Sequence, residues 1–242
     1  MKTIFFRFKK FLTISIASLM LIFSLVSCSN SIKGEGKIGE KDSILKPISK
    51  LEIQGSFNVF YQVDSVYSVK IEANENLISN IKIENTDGEL KLSELKSVSS
   101  FEIYKIIISG KNIEEISLND NIQFEVNGQI NQEKLKLSMH DNSKFIGNIA
   151  VSELNLEQKD NTNSNLSGSS ANAELKLSDN AITMSPLLNV SEATVYLDDN
   201  AQAKVMALKI LEGTGTGNSK LHYQGEPNKN YTTKEQAICE KK

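Results

Sequence analysis

From about residue 113 the sequence repeats itself, and the repeat limits the folds open to this chain more than any other feature. An apolar-x-apolar pair recurs as Ile116/Leu118, Leu135/Leu137, Leu154/Leu156, Leu175/Leu177 and Val195/Leu197, at intervals of 19, 19, 21 and 20 residues. Each pair is followed by Asp-Asn, at Asp120-Asn121, Asp141-Asn142, Asp160-Asn161, Asp179-Asn180 and Asp199-Asn200, with Gly217-Asn218 as a degenerate sixth. A looser marker (Gly128, Gly147, Gly168, Pro186, Gly225) follows five to seven residues later, absent from the fifth unit. A fixed period near twenty marks stacked architectures. Two arrangements fit, a β-solenoid with one repeat per coil and a meander with one hairpin per repeat. The solenoid is favoured because like positions carry like residues. A coil sets each residue about 4.8 Å from its counterpart, whereas a meander imposes no such identity. Asn121, Asn142, Asn161, Asn180 and Asn200 are expected to form a structural turn ladder, since Asn tolerates the left-handed conformation of a sharp corner.

Upstream the pattern is alternation with period two: Leu51/Ile53, Phe57/Val59/Tyr61/Val63, Val69/Ile71, Ile81/Ile83, Leu90/Leu92 and Ile106/Ile108. Half-buried strands read this way. Breaks fall at Gln54-Gly55-Ser56, Ala73-Asn74-Glu75-Asn76 and Asp87-Gly88, the last a tight-turn dipeptide. No amphipathic helix longer than about two turns is visible. The expected class is all-β: a β-solenoid or parallel β-helix-like stack of about 20-residue coils in the C-terminal two-thirds, continuous with an N-terminal β-rich portion. The 39% hydrophobic content excludes disorder, and the 24 Asn fit a turn-rich chain.

The first residues read as an address. Lys2, Arg7, Lys9 and Lys10 precede an apolar run from Phe11 to Val26. At 1.5 Å per residue about 16 residues span roughly 24 Å, short of a ~30 Å hydrocarbon core, so a signal peptide over 1–27 is the better reading. Leu25-Val26-Ser27-Cys28 resembles the bacterial lipobox. Cys28 is then the lipidation site and new N-terminus, and the bilayer a partner through its acyl chains, two or three of which hold a protein effectively permanently. Ser29 in place of Asp favours the outer membrane, with the leaflet left open. Residues 28–47 read as lipidated Cys and flexible linker, 48–227 as the β domain, and 228–242 as a polar tail containing Cys239. Removing 1–27 takes four positive charges from a net −3, leaving 23 Lys+Arg against 30 Asp+Glu. That balance of −7 argues against a nucleic-acid partner.

The stretch Gly55-x-Phe57-Asn58-Val59, then Val69-Lys70-Ile71-Glu72-Ala73-Asn74-Glu75-Asn76-Leu77, then Asp87-Gly88-Glu89-Leu90-Lys91-Leu92, resembles the head GIN domain, a family of auto-transporter adhesin-like domains common in bacterial envelope lipoproteins. The resemblance continues through Ile106-Ile107-Ile108, the Asp-Asn repeats, Gly213-x-Gly215-x-Gly217 and Tyr223-x-Gly225-x-Pro227. It implies a β-helix-like body over about residues 48–227 and brings no catalytic residues with it. Phe57 departs from the family pattern in bulk.

For chemistry, the Asp ladder stands out. If Asp120, Asp141, Asp160, Asp179 and Asp199 stack at about 4.8 Å, neighbouring carboxylates repel by roughly 1 kcal/mol in water, and more at lower dielectric. The expected relief is exposure to solvent or capping of turn N–H groups. A row of weak Ca²⁺ sites is the alternative, against which stands the absence of a Gly-Gly-x-Gly-x-Asp nonapeptide. Polysaccharide cleavage by paired acids lacks supporting equipment: the only Arg is Arg7, the only His are His140 and His222, and Trp is absent. No phosphate loop, nucleophile triad or dinucleotide fingerprint is present, so no cofactor is expected. The function expected is a non-catalytic, envelope-anchored binding or adhesin-like module with a glycan or envelope protein as partner. The alternatives are a structural or stress-related envelope scaffold and, third, a glycan-cleaving β-helix enzyme.

Overall fold

A computed structural model describes residues 31–111 and 113–242; the expected signal peptide and the expected lipidation site Cys28 lie outside the described residues. The N-terminal part contains β1 (Ile32–Lys33), β2 (Ile38–Ile44), β3 (Lys50–Gly55), β4 (Asn58–Val63), β5 (Ser68–Asn74), one helical turn α1 (Glu75–Ile78), β6 (Ile81–Thr86), β7 (Glu89–Glu94), β8 (Val98–Ser100) and β9 (Tyr104–Gly110). The remainder is β10 (Glu115–Asp120), β11 (Gln123–Met139), β12 (Lys144–Gln158), β13 (Asn163–Leu177), β14 (Ile182–Leu197), β15 (Gln202–Gly215), β16 (Lys220–Gln224), β17 (Asn228–Thr233) and β18 (Ile238–Lys241). Pairing from β10 onward is parallel throughout. A hairpin meander is thereby excluded, and the body is a β-solenoid of about seven turns over residues 115–241.

Each of β11–β15 runs from one corner, around a bend, to the next. Two rows of stacked segments result. The leading row, before the corner, passes from β7 through β3 and β10 into the second halves of β11–β15 and ends on β17. The trailing row, after the corner, runs from β9 through β4 into the first halves of β11–β15, then β16 and β18. The solenoid therefore grows directly on strands of the N-terminal part. At the N-terminal end antiparallel pairs close both rows, β6 on β7 and the β5–β2 pair on β9. Asp87 and Gly88, both at positive φ (53° and 79°), make the primed turn expected of Asp-Gly between β6 and β7.

The interior is built from columns. Leu137, Leu156, Leu175 and Val195 are consecutive partners, all buried. Burying such a side chain contributes about 1.5–3 kcal/mol, against which the cost of ordering the chain is set. On the trailing side Phe124 stacks on Phe145 with ring centroids 5.5 Å apart and planes 9° from parallel. The same column then changes character, through Ser164 and Thr183 to Ala203 and Leu221. Ser164 and Thr183 belong to a buried polar network. The Ser164 hydroxyl donates to Gln158 Oε1 at 2.7 Å, the Ser164 and Thr183 hydroxyls lie 2.6 Å apart, and Gln158 Nε2 donates to Thr162 Oγ1 at 3.2 Å. Internal pairing is what lets these groups leave water at acceptable cost.

Three expectations need correction. Residues 28–47 are not wholly a flexible linker, because β2 pairs along its length with β5, from Ile38↔Asn74 to Ile44↔Ser68. Backbone pairing, which composition does not display, orders this Gly- and charge-rich segment. Residues 228–242 are not a loose tail: β17 and β18 form the last coil, and Cys239, half-buried and free, stands opposite Leu221. The apolar pairs also slip in two places. Ile116 faces Leu137 rather than Leu135, and Leu156 faces Leu175 rather than Leu177. A period-two pattern matches itself again after a shift of two, so it cannot fix register alone.

Candidate binding surface

The corner is the most regular part of the molecule. Asp120, Asp141, Asp160, Asp179 and Asp199 all have positive φ, between 55° and 70°, whereas none of the adjacent Asn residues does. The left-handed position thus belongs to Asp, not to the expected Asn, and Gly217 and Glu235 occupy it in the last two coils. The Asn side chains instead bond across coils. Asn161 Nδ2 donates to Asn142 Oδ1 at 3.3 Å, Asn180 to Asn161 at 3.2 Å, Asn200 to Asn180 at 3.3 Å and Asn218 to Asn200 at 3.3 Å. This is a turn ladder by amide stacking, one that Asn121 is not seen to join.

Three of the Asp carboxylates, those of Asp141, Asp160 and Asp179, are capped by the neighbouring coil. The N–H of Asp120 donates to Asp141 Oδ2 at 3.3 Å, that of Asp141 to Asp160 Oδ2 at 3.4 Å, and that of Asp160 to Asp179 Oδ2 at 3.5 Å. Exposure, one of the two expected forms of relief, is present at Asp141, Asp160, Asp179 and Asp199, while the capping is intercoil rather than within the turn. Among the described residues no three His, Cys, Asp or Glu side chains converge as metal ligands, and the ladder is a line rather than a cage. His222 Nδ1 lies 3.9 Å from Glu240 Oε2, and burial pushes the imidazole below its usual range.

Outward side chains of the leading row form the other candidate. Parallel pairing places Lys176, Tyr196 and Thr214 side by side on successive coils, three positions before their corners. Charges on this face are largely paired with opposite ones: Lys136 with Glu115 at 2.9 Å, Lys134 with Glu153 at 2.9 Å, Lys159 with Glu157 at 2.9 Å, and Lys176 with Glu174 at 2.9 Å. The pairing holds Glu115 and Glu157 below the usual carboxylate range and Lys134, Lys159 and Lys176 above the usual ammonium range. The Thr216 hydroxyl, then the N–H of Asp199, lower the Asp198 carboxyl in the same way.

An open groove of about 350 Å³ lies here, walled by Tyr196, Lys176, Ser178, Thr214 and Asp198. A second depression of about 230 Å³ shares Glu157 and Lys176 with it, and a third of about 270 Å³ shares Asn155 and Glu174 with the second. The three make a continuous trough across β12–β15. Sequence reasoning missed it because the six Tyr are scattered singly along the chain. Counting three back from each corner would have found it, since that position reads Glu157, Lys176, Tyr196 and Thr214.

Solved structures share this architecture. A protein of Bacteroides fragilis described as a putative adhesin superposes with a TM-score of 0.81 at 17% identity, covering 88% of this chain and all of its own. A Parabacteroides merdae protein, also described as a putative adhesin, gives 0.67 at 18%, over 88% of this chain and 99% of its own. A Parabacteroides distasonis protein described as a putative lipid binding protein gives 0.70 at 15%, over 88% and 100%. At such identities the likeness establishes the fold alone. No curated protein matches the chain. The family profile described as "Putative auto-transporter adhesin, head GIN domain" aligns with residues 48–227, from the strands that seed the stack to its penultimate coil, and the chain belongs to the head GIN domain family.

Proposed function

We propose that the protein is an envelope-anchored lipoprotein, acylated at Cys28, whose solenoid is a non-catalytic binding module of the adhesin kind. The observation that carries the binding reading is the trough on the leading face of β12–β15, where the charged side chains are largely tied to one another. Paired charges on a rigid sheet suit contact; a catalytic acid or base would need a shifted, unpaired group within reach of substrate. Relatives described as adhesins support the same reading. Anchoring rests on the basic start, the apolar run and Leu25-Val26-Ser27-Cys28, and an outer-membrane position on Ser29. No helix of the described residues is long and apolar enough to cross a membrane.

The test has two arms. Labelled fatty acid should enter the wild-type chain and not Cys28→Ala, and an epitope inserted at Ser65, in the exposed β4–β5 loop, reports by protease accessibility on intact cells which side of the outer membrane the domain occupies. Binding to isolated envelope fractions should be lost in Thr214→Arg on the leading face and kept in Asn165→Arg on the trailing face. A scaffold role predicts the reverse sensitivity. Face substitutions would then be silent, and deleting β17 and β18, each of which pairs on one side only, would disrupt the envelope.

A further inference from the structure

We propose that the trough centred on Tyr196 binds a neutral glycan chain. The inference rests on the binding reading above and names the ligand class for that same surface. A pyranose presents a face of C–H groups and a rim of hydroxyls, each of which both donates and accepts. Its recognition needs an amphipathic aromatic side chain and a mixed set of donors and acceptors beside it.

Tyr196 is 40% exposed and supplies the aromatic ring among the residues lining the trough. Its immediate neighbours across the strands are Lys176 and Thr214, so an ammonium and a hydroxyl flank the ring. One outward position nearer the corner, Ser178, Asp198 and Thr216 form a parallel row of two hydroxyls and a carboxylate that wall the same groove. Glu157 and Lys159 complete the wall with an acceptor and a donor already bonded to each other at 2.9 Å.

The charge balance selects among polar ligands. Two acids, Glu157 and Asp198, face two lysines, Lys159 and Lys176, in the central groove. Lys176 is also bonded to Glu174, and Asp198 to Thr216. An anionic or cationic ligand therefore meets no unbalanced charge there. The trough then runs toward Glu153, Glu192 and Glu212, of which, among the described residues, only Glu153 has a lysine within ion-pair distance. Uronic acids, sialic acids and phosphorylated sugars would be repelled at that end, and a cationic chain gains nothing in the balanced groove around Tyr196, so an uncharged polyhydroxyl chain fits that groove best. Continuity of the three depressions argues for a chain over a single sugar. An open groove gives weak single-site binding, and many copies on one surface make weak sites effective.

The test is affinity electrophoresis of the full chain in mild detergent, through gels carrying mannan, dextran, xylan or, as the acidic control, polygalacturonate. The expected result is retardation by at least one neutral polymer and none by polygalacturonate. Tyr196→Ala should weaken it about tenfold, equivalent to ~1.4 kcal/mol, while Tyr196→Phe keeps it. An unchanged melting transition in both variants checks folding. Retardation by no neutral polymer, equal retardation of Tyr196→Ala, or preference for polygalacturonate overturns the inference. Envelope fractions treated with periodate, which cleaves the vicinal diols of sugars, separate the two levels of the argument. Binding that survives both periodate and Tyr196→Ala overturns the glycan site and leaves the binding module standing; no binding to untreated fractions overturns both.

Discussion

The N-terminal part and the coils from β10 onward bury apolar side chains with equal thoroughness, yet by different means. In the first, large and mutually distinct side chains interlock: Phe57 meets Tyr104 edge-on at 4.8 Å, and Tyr61, Leu77 and Ile71 are fully enclosed. Strands there run both parallel and antiparallel, and single side chains do specific jobs. Glu94, for example, stands opposite Gly55 and its carboxylate accepts the N–H of Ser56 at 2.9 Å, a donor that in later corners is served by another coil. In the coils each strand segment pairs in parallel with its equivalent above and below, so stability is a sum of nearest-neighbour interfaces. A unique cap thus adjoins a repetitive body whose interior changes from aromatic to hydroxyl to small apolar without altering its outline.

The largest expected effect strikes the repetitive body. Leu156→Asp puts an uncompensated charge between Leu137 and Leu175 and should unfold the solenoid outright, read as loss of the cooperative melt. Soluble, fully folded protein would break the column assignment. Next comes Phe57→Ala, which should cost about 3–5 kcal/mol. Hydrogen exchange should rise first in β4, β5 and β9 and leave β13–β15 protected; equal loss in both would make the regions one cooperative unit.

Ser164→Ala should cost about 1–3 kcal/mol in urea unfolding by leaving Gln158 and Thr183 short of a partner. Replacing Gln158, Ser164 and Thr183 together by Leu, Ala and Val should recover much of that loss. At the corner, Asp179→Ala should cost about 1–2 kcal/mol, because Ala must adopt the left-handed conformation, and Asp179→Gly less. Asn180→Ala, which removes two ladder bonds, should cost about 0.5–1.5 kcal/mol. An Asn penalty larger than the Asp one would contradict the observed φ values.

The smallest effect is pH dependence in the cap. Desolvation raises the Glu94 carboxyl above its ordinary range, ahead of the lowering by the Ser56 and Val98 N–H groups. A group raised on folding stabilises below its unfolded value, and that contribution is lost as pH climbs through the folded one. Glu94→Gln, which keeps the acceptor oxygen, should therefore gain on wild type progressively from the ordinary carboxylate range upward. A pH-independent difference between the two would show that the carboxylate is not desolvated.

The solenoid was legible because the Asp-Asn marker recurs at single residues, and a single residue cannot slip. The register of the apolar pairs was not, because Leu135 and Leu137 satisfy the same alternation. Propensity alone points to Asn for the left-handed position, whereas Asp holds it at all five Asp-Asn corners. Asp tolerates that conformation as well, and here each Asn amide is free to bond along the stack. The ordering of β2, β17 and β18 was hidden because strand pairing depends on a partner far away in sequence. The trough was hidden for the same reason: Tyr196 and Thr214 are neighbours only once the coils are stacked.

Register along the corner has a consequence for size. From four residues before each left-handed position to four after it, every coil is aligned residue for residue, while the connecting stretch varies: Phe124 to Leu137 is thirteen positions, Ala203 to Gly213 ten. All length variation is absorbed at the bend, and none reaches the corner. The molecule is therefore extensible in whole steps, and a duplicated coil would move the far end outward by about 4.8 Å without disturbing what lies on either side. The length of such a stack is a quantity that can be counted in corners.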